Sequence, residues 1–100
     1  MNTQTNELVS IPYPDEPGTL VCTKQAFESL VKDLGFKCVE YLAQQLEQYA
    51  EDQPKKFKKY KNHAAVIRKW NERKVSDGYV FSPSYGHYVK RWMAAERGEI

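Results

Sequence analysis

The chain has 100 residues, 41% hydrophobic and 13% aromatic, with a formal net charge of +2. That length suits one domain around one core, and the apolar share argues against a disordered chain. No apolar stretch approaches the roughly 20 residues that cross a bilayer, and polar residues 1–7 lack a signal-peptide layout, so a cytoplasmic protein without a membrane partner is expected.

Residues 1–19 carry Pro12, Pro14, Pro17 and Gly18, which oppose regular structure. They read as an extended N-terminal segment: a loose tail over the first ten, then Ile11-Pro12-Tyr13-Pro14 extended and docked on the body. Residues 20–100 read as a single helical domain. Leu20-Val21-Cys22 forms a short extended lead-in, and Thr23 suits a helix N-cap. Phe27, Leu30, Val31 and Leu34 recur at i, i+3, i+4 and i+7, predicting a helix over about 24–34 that Gly35 ends.

Val39, Leu42, Ala43, Leu46, Tyr49 and Ala50 predict a second helix over about 37–51, which Pro54 prevents from extending. Residues 55–61, Lys-Lys-Phe-Lys-Lys-Tyr-Lys, form a basic connector. Asn62 caps a third helix of about 63–75, whose inner face is His63, Val66, Ile67 and Trp70. Ser76-Asp77-Gly78 is a turn signal. Tyr79-Val80-Phe81 is β-prone and is assigned to pair with residues 20–22. Ser82-Pro83 reads as an N-cap with proline at N1, opening a fourth helix of about 84–96 on Tyr85, Tyr88, Val89, Trp92 and Met93. The expected fold is all-α: a compact bundle of about four short helices with an extended tail and at most one short strand pair.

Charge is segregated along this plan. Residues 1–54 hold three lysines against nine carboxylates, residues 55–74 hold nine bases against Glu72 alone, and residues 75–100 balance. The candidate nucleic-acid-binding residues are therefore Lys55, Lys56, Lys58, Lys59, Tyr60 and Lys61 of the connector, with Arg68, Lys69, Arg73 and Lys74 of the third helix. Lysines draw phosphates through counterion release, and interleaved aromatics stack on unpaired bases, which favours single-stranded DNA. The competing reading is a solvated basic surface in which Phe57 and Tyr60 anchor the core.

Catalytic patterns are absent from the sequence: no glycine-rich phosphate loop, GxSxG or HExxH occurs. The expectation is a binding protein, not an enzyme, with no cofactor. Cys22, Cys38, His63 and His87 are too scattered for a metal site. The cysteines read as buried thiols, and His63 reads as a hydrogen-bonded core histidine. The aromatic run from Tyr79 to Met93 either closes the core or offers part of itself to a protein partner.

Lys59-Tyr60-Lys61-Asn62-His63-Ala64-Ala65-Val66-Ile67-Arg68-Lys69-Trp70 resembles a helical segment near the C-terminus of phage and plasmid replication initiators and DnaD-like replisome organisers. In that pattern Asn62 stands at the cap, His63 at the histidine, Ile67 at the aliphatic and Trp70 at the tryptophan. The upstream order of Thr23, Phe27, Gly35 and the second helix fits too, so the resemblance covers about residues 19–75. Ala64 stands where many relatives carry an aromatic, and Asn62 where the DnaD-type pattern has a tyrosine. The resemblance implies a DNA replication accessory role, with a helicase or helicase loader as further partner. The alternative expectation is a small phage-encoded protein that binds and inhibits a host replication or defence protein. A helix-turn-helix regulator fits less well, because some ten residues separate the second and third helices where that motif has a tight turn.

Overall fold

Thr23 opens the first helix by the local chemistry its sequence dictates: its Oγ1 accepts the Ala26 N–H at 3.1 Å, and α1 runs Lys24–Leu34. The computed structural model describes residues 7–100. Gly35, at φ 86°, donates its N–H to Val31 O at 2.8 Å and ends the helix in a backbone region that side-chain-bearing residues avoid. The chain turns there into α2, Phe36–Asp52, which buries Cys38, Val39, Leu42, Ala43 and Leu46 along one face.

Pro54 starts a single helical turn, α3 (Pro54–Phe57), inside the basic connector. Asn62 Oδ1 accepts the Ala65 N–H at 3.1 Å and caps α4, His63–Ser76. Helix α2 is the spine: α1, α3 and α4 all pack on it. Leu30, Val39, Leu42, Leu46 and Ile67 fill the centre. Replacing either cap, Thr23→Ala or Asn62→Ala, leaves a first-turn N–H unpaired. Each change is expected to cost about 1 kcal/mol and to lower the thermal midpoint by about 4–8 °C in a melt followed by circular dichroism.

The strands correct the all-α expectation: the described residues form a mixed fold of five helices and two two-stranded antiparallel sheets. Strand β1, Leu8–Ser10, lies where a loose tail was expected. It pairs with β2, Val21–Thr23, in the register Leu8↔Thr23, Val9↔Cys22, Ser10↔Val21. The prolines and Gly18 that exclude a helix here supply the loop that reverses the chain, closed by the Ile11 N–H on Leu20 O at 3.0 Å. Ile11 is buried against the core, and the Tyr13 hydroxyl donates to the Glu40 carboxylate on α2. The first six residues of the expected tail lie outside the described residues.

Strand β3, Tyr79–Ser82, pairs not with residues 20–22 but with β4, His87–Lys90. The expected fourth helix is replaced by a hairpin loop, β4 and a six-residue helix, α5 (Arg91–Glu96). Ser82 does accept the Tyr85 N–H, at 3.2 Å, as an N-cap would. The turn stops after four residues because Gly86, at φ 78°, bonds back to Ser82 O at 2.7 Å and leads out of helical geometry. The chain end is fastened to this hairpin. The Glu99 carboxylate accepts from Ser82 Oγ at 2.6 Å and from the Ser84 N–H at 3.1 Å. No helix among the described residues is long and apolar enough to cross a membrane.

Candidate nucleic-acid interface

The basic connector is a wound turn with its aromatics inside. Phe57 stacks on the His63 imidazole, with centroids 4.9 Å apart and planes 23° apart. Tyr60 stacks on Tyr49 of α2 at 5.9 Å and 24°. Backbone bonds from Lys58 N to Pro54 O, Lys59 N to Lys56 O and Tyr60 N to Phe57 O hold the turn. With two rings drawn inward at i and i+3, Lys55, Lys56, Lys58, Lys59 and Lys61 are all left exposed. Phe57 and Tyr60 thus anchor the turn, and each keeps only part of its surface in solvent.

Helix α4 divides its cations. At about 100° per residue, Arg68 and Arg73 lie roughly 140° apart around the axis. Arg68 faces α1, where its Nη1 is 2.9 Å from Asp33 Oδ2 and its Nη2 donates to Ser29 Oγ at 3.0 Å. This ion pair is partly exposed and adds little stability, but it takes Arg68 out of the free cationic surface. Lys69 and Arg73 are exposed. Lys74 lays its ammonium above the Tyr79 and Tyr88 rings, 6.0 and 5.7 Å from their centroids.

His63 is the buried hinge between sheet and turn. Its Nδ1 accepts the Val21 N–H at 3.0 Å, joining β2 to the start of α4. Burial lowers its pKa, against the opposing pull of a hydrogen bond with the Tyr60 backbone. The folded protein therefore binds this proton less readily than the unfolded chain, whose histidines titrate near 6.5. The His63 contribution is complete above that value and is lost as the pH falls toward the depressed folded value. Thermal melts between pH 8 and pH 5 should show this loss in the wild type. The same series on His63→Gln should lack it, because the amide accepts a hydrogen bond without titrating.

Sequence reasoning missed a groove between α2, α4 and β3 with a volume of about 380 Å³. Tyr41 and Gln45 line it from α2, Trp70, Arg73 and Lys74 from α4, and Tyr79 from β3. Trp70 meets Tyr49 edge-on at 5.8 Å, so the ring series Tyr60, Tyr49, Trp70 runs from the lysine turn to the groove. The Tyr60 phenol has its pKa raised, chiefly by the neighbouring Tyr49 hydroxyl. The spacing of Trp70 signals only a packed face, and nothing local announces that α2 and β3 flank it.

The C-terminal aromatics divide between the core and the surface. Tyr88 is buried, packs with Tyr41 and Phe81, and donates to Asn71 Oδ1 at 2.6 Å. Trp92 on α5 is 60% exposed. Cys22 and Cys38 are free and buried, and burial pushes both thiols up, Cys22 to about 11, away from the reactive thiolate. Among the described residues no three His, Cys, Asp or Glu side chains come together as a metal site would require. No protein-family model matches the chain, and no curated protein or solved structure matches it either.

Proposed function

We propose that this chain is a non-catalytic, cytoplasmic DNA replication accessory domain of the phage or plasmid type. It binds single-stranded DNA through the lysine turn of residues 55–61 and the adjoining Lys69 and Arg73 of α4. A helicase or its loader is the protein partner that the resemblance of residues 19–75 implies. The observation that carries the reading is the turn itself: the rings of Phe57 and Tyr60 pack inward and five lysines within seven residues are left exposed. Cations this closely spaced attract neighbouring phosphates. The preference for single strands has the weaker support: unpaired bases stack on aromatics, but Phe57 and Tyr60 each have one face engaged, by His63 and Tyr49, and keep only part of their surface in solvent.

Fluorescence anisotropy with a labelled oligo-dT of about 16 nucleotides, and with a duplex of equal length, tests this. Saturable binding is expected, tighter for the single strand, with a log–log salt slope of about −4.9 if the five lysines, Lys69 and Arg73 all meet phosphates. Absence of saturable binding at low salt defeats the proposal.

A second reading has one observation in its favour, the exposure of Trp92 on α5. Large aromatics are enriched among the residues that dominate protein interfaces. On this reading the chain binds and inhibits a host replication or defence protein. A stoichiometric, nuclease-resistant complex that Trp92→Ala dissolves would support it, together with no affinity for oligonucleotides.

A further inference from the structure

The groove between α2, α4 and β3 combines three features that a flat, anionic guest requires. Its volume of about 380 Å³ lies within the range of small-ligand sites, about 300–1,000 Å³. Its walls carry aromatic rings from three separate elements: Tyr41 of α2, Trp70 of α4 and Tyr79 of β3. Its edge carries two neighbouring cations, Arg73 and Lys74.

Those cations are not committed to carboxylates. Among the described residues the one ion pair is that of Arg68 with Asp33. The Lys74 ammonium rests over the Tyr79 and Tyr88 rings, a contact of modest strength at a solvent-accessible position. An arriving phosphate offers both side chains charge-assisted bonds, which are stronger. Asp77 also lines the groove and sets one negative charge against the two positive ones. Its carboxylate accepts hydrogen bonds, and the Gln45 amide both donates and accepts. An apolar acid has no use for that pair of groups. A nucleobase carries a flat face for the rings and polar edges for Asp77 and Gln45.

We propose that this groove binds one unpaired nucleotide, its base against the Trp70 and Tyr79 rings and its phosphate on Arg73 and Lys74. The nucleotide is either free or part of a strand, and the two sources share this chemistry. The in-strand case rests on the function proposed above: the rings of Tyr60, Tyr49 and Trp70 lead from the lysine turn to the groove, so one strand spans both.

The test is a titration of the ¹⁵N-labelled chain with dAMP up to millimolar concentration, followed by two-dimensional NMR. Deoxyadenosine and deoxyribose 5-phosphate serve as probes that each lack one half of the guest. The expected result is saturable movement of the Trp70 indole N–H and of the Lys74, Asp77 and Tyr79 amides, with the Trp92 indole unmoved. Each half-probe should bind more weakly than dAMP. Arg73→Gln combined with Lys74→Gln removes both charges while keeping unbranched side chains with polar ends, and should weaken dAMP by roughly tenfold or more. Its amide spectrum away from the groove reports whether the fold is retained. Should that double variant unfold, Arg73→Gln alone carries the same prediction in direction.

A short oligo-dA separates the sources. The same groove signals moving with both dAMP and oligo-dA support a nucleotide site used in a strand. Movement with dAMP and no binding of oligo-dA supports the site while defeating the replication reading. Oligo-dA binding that leaves the groove signals still, with no dAMP response, overturns the groove proposal and leaves the lysine turn standing. Equal binding of dAMP and deoxyribose 5-phosphate also overturns it, because the rings then contribute nothing.

Discussion

Reversing Lys58, Lys59 and Lys61 to glutamate together is expected to weaken single-stranded DNA binding by about a hundredfold at 0.1 M salt. On a single strand each phosphate contact contributes about 0.7 to the log–log salt slope, so three contacts are worth about two decades between 1 M and 0.1 M salt. Repulsion from the new carboxylates adds to that loss. The slope should fall from about −4.9 toward about −2.8, the share of Lys55, Lys56, Lys69 and Arg73. The fold should persist, since the three side chains are exposed and the turn is held by the stacks of Phe57 on His63 and Tyr60 on Tyr49. Thermal midpoints within a few degrees of wild type are the control for that statement. Affinity and slope both unchanged would remove the lysine turn from the function.

Arg68→Glu is the informative contrast. The substituted carboxylate would face Asp33, so the change acts on the α1–α4 contact and leaves DNA affinity near wild type. In sequence Arg68 and Lys69 are one basic dipeptide, yet only the second is free. Sequence proximity cannot resolve this, because one residue step rotates a helical side chain by about 100°. Asp33 is also 35 positions away. Among the described residues, Arg68 is the one member of the basic block paired with a carboxylate of the acidic N-terminal half.

The same division between local and distant information explains which elements were legible. Thr23 and Asn62 act within three residues of themselves, and both form the expected caps. Stripes at i, i+3 and i+4 located α1, α2 and α4 because a helix closes its own hydrogen bonds over four residues. Strands carry no such internal record. Leu8-Val9-Ser10 is too short to show alternation, and its partner Val21-Cys22-Thr23 lies beyond a proline-rich loop. Tyr85, Tyr88, Val89, Trp92 and Met93 imitate a helical stripe, but they distribute over a loop, β4 and α5. Gly86 was the contrary signal: a glycine inside a helix costs about 1 kcal/mol, whereas here its positive φ ends the turn. The groove was illegible for a related reason. Its walls meet only when the β3–β4 hairpin folds back beside α4, a contact between elements that no periodicity encodes.

Ile11→Ala tests most directly whether the N-terminal segment belongs to the folding unit. Ile11 is 1% exposed, packs in the core with Leu20 and Leu30, and donates its N–H to Leu20 O. Truncating a buried aliphatic of this kind costs about 2–5 kcal/mol through lost transfer energy and an unfilled cavity. For a chain of this size that lowers the thermal midpoint by about 8–40 °C. Leu8, three residues earlier on β1, is 63% exposed, and Leu8→Ala should stay within about 0.5 kcal/mol of wild type. The consequence reaches the lysine turn through a short chain of contacts. β1 holds β2, the Val21 N–H of β2 bonds His63, and His63 carries the Phe57 ring that anchors the turn. Melting followed by circular dichroism and DNA binding followed by anisotropy should therefore fail at the same, lowered temperature in Ile11→Ala. A variant that melts like wild type would show that residues 7–11 ride on the surface. A variant that melts early yet binds DNA above its midpoint would show that the lysines act without the folded turn.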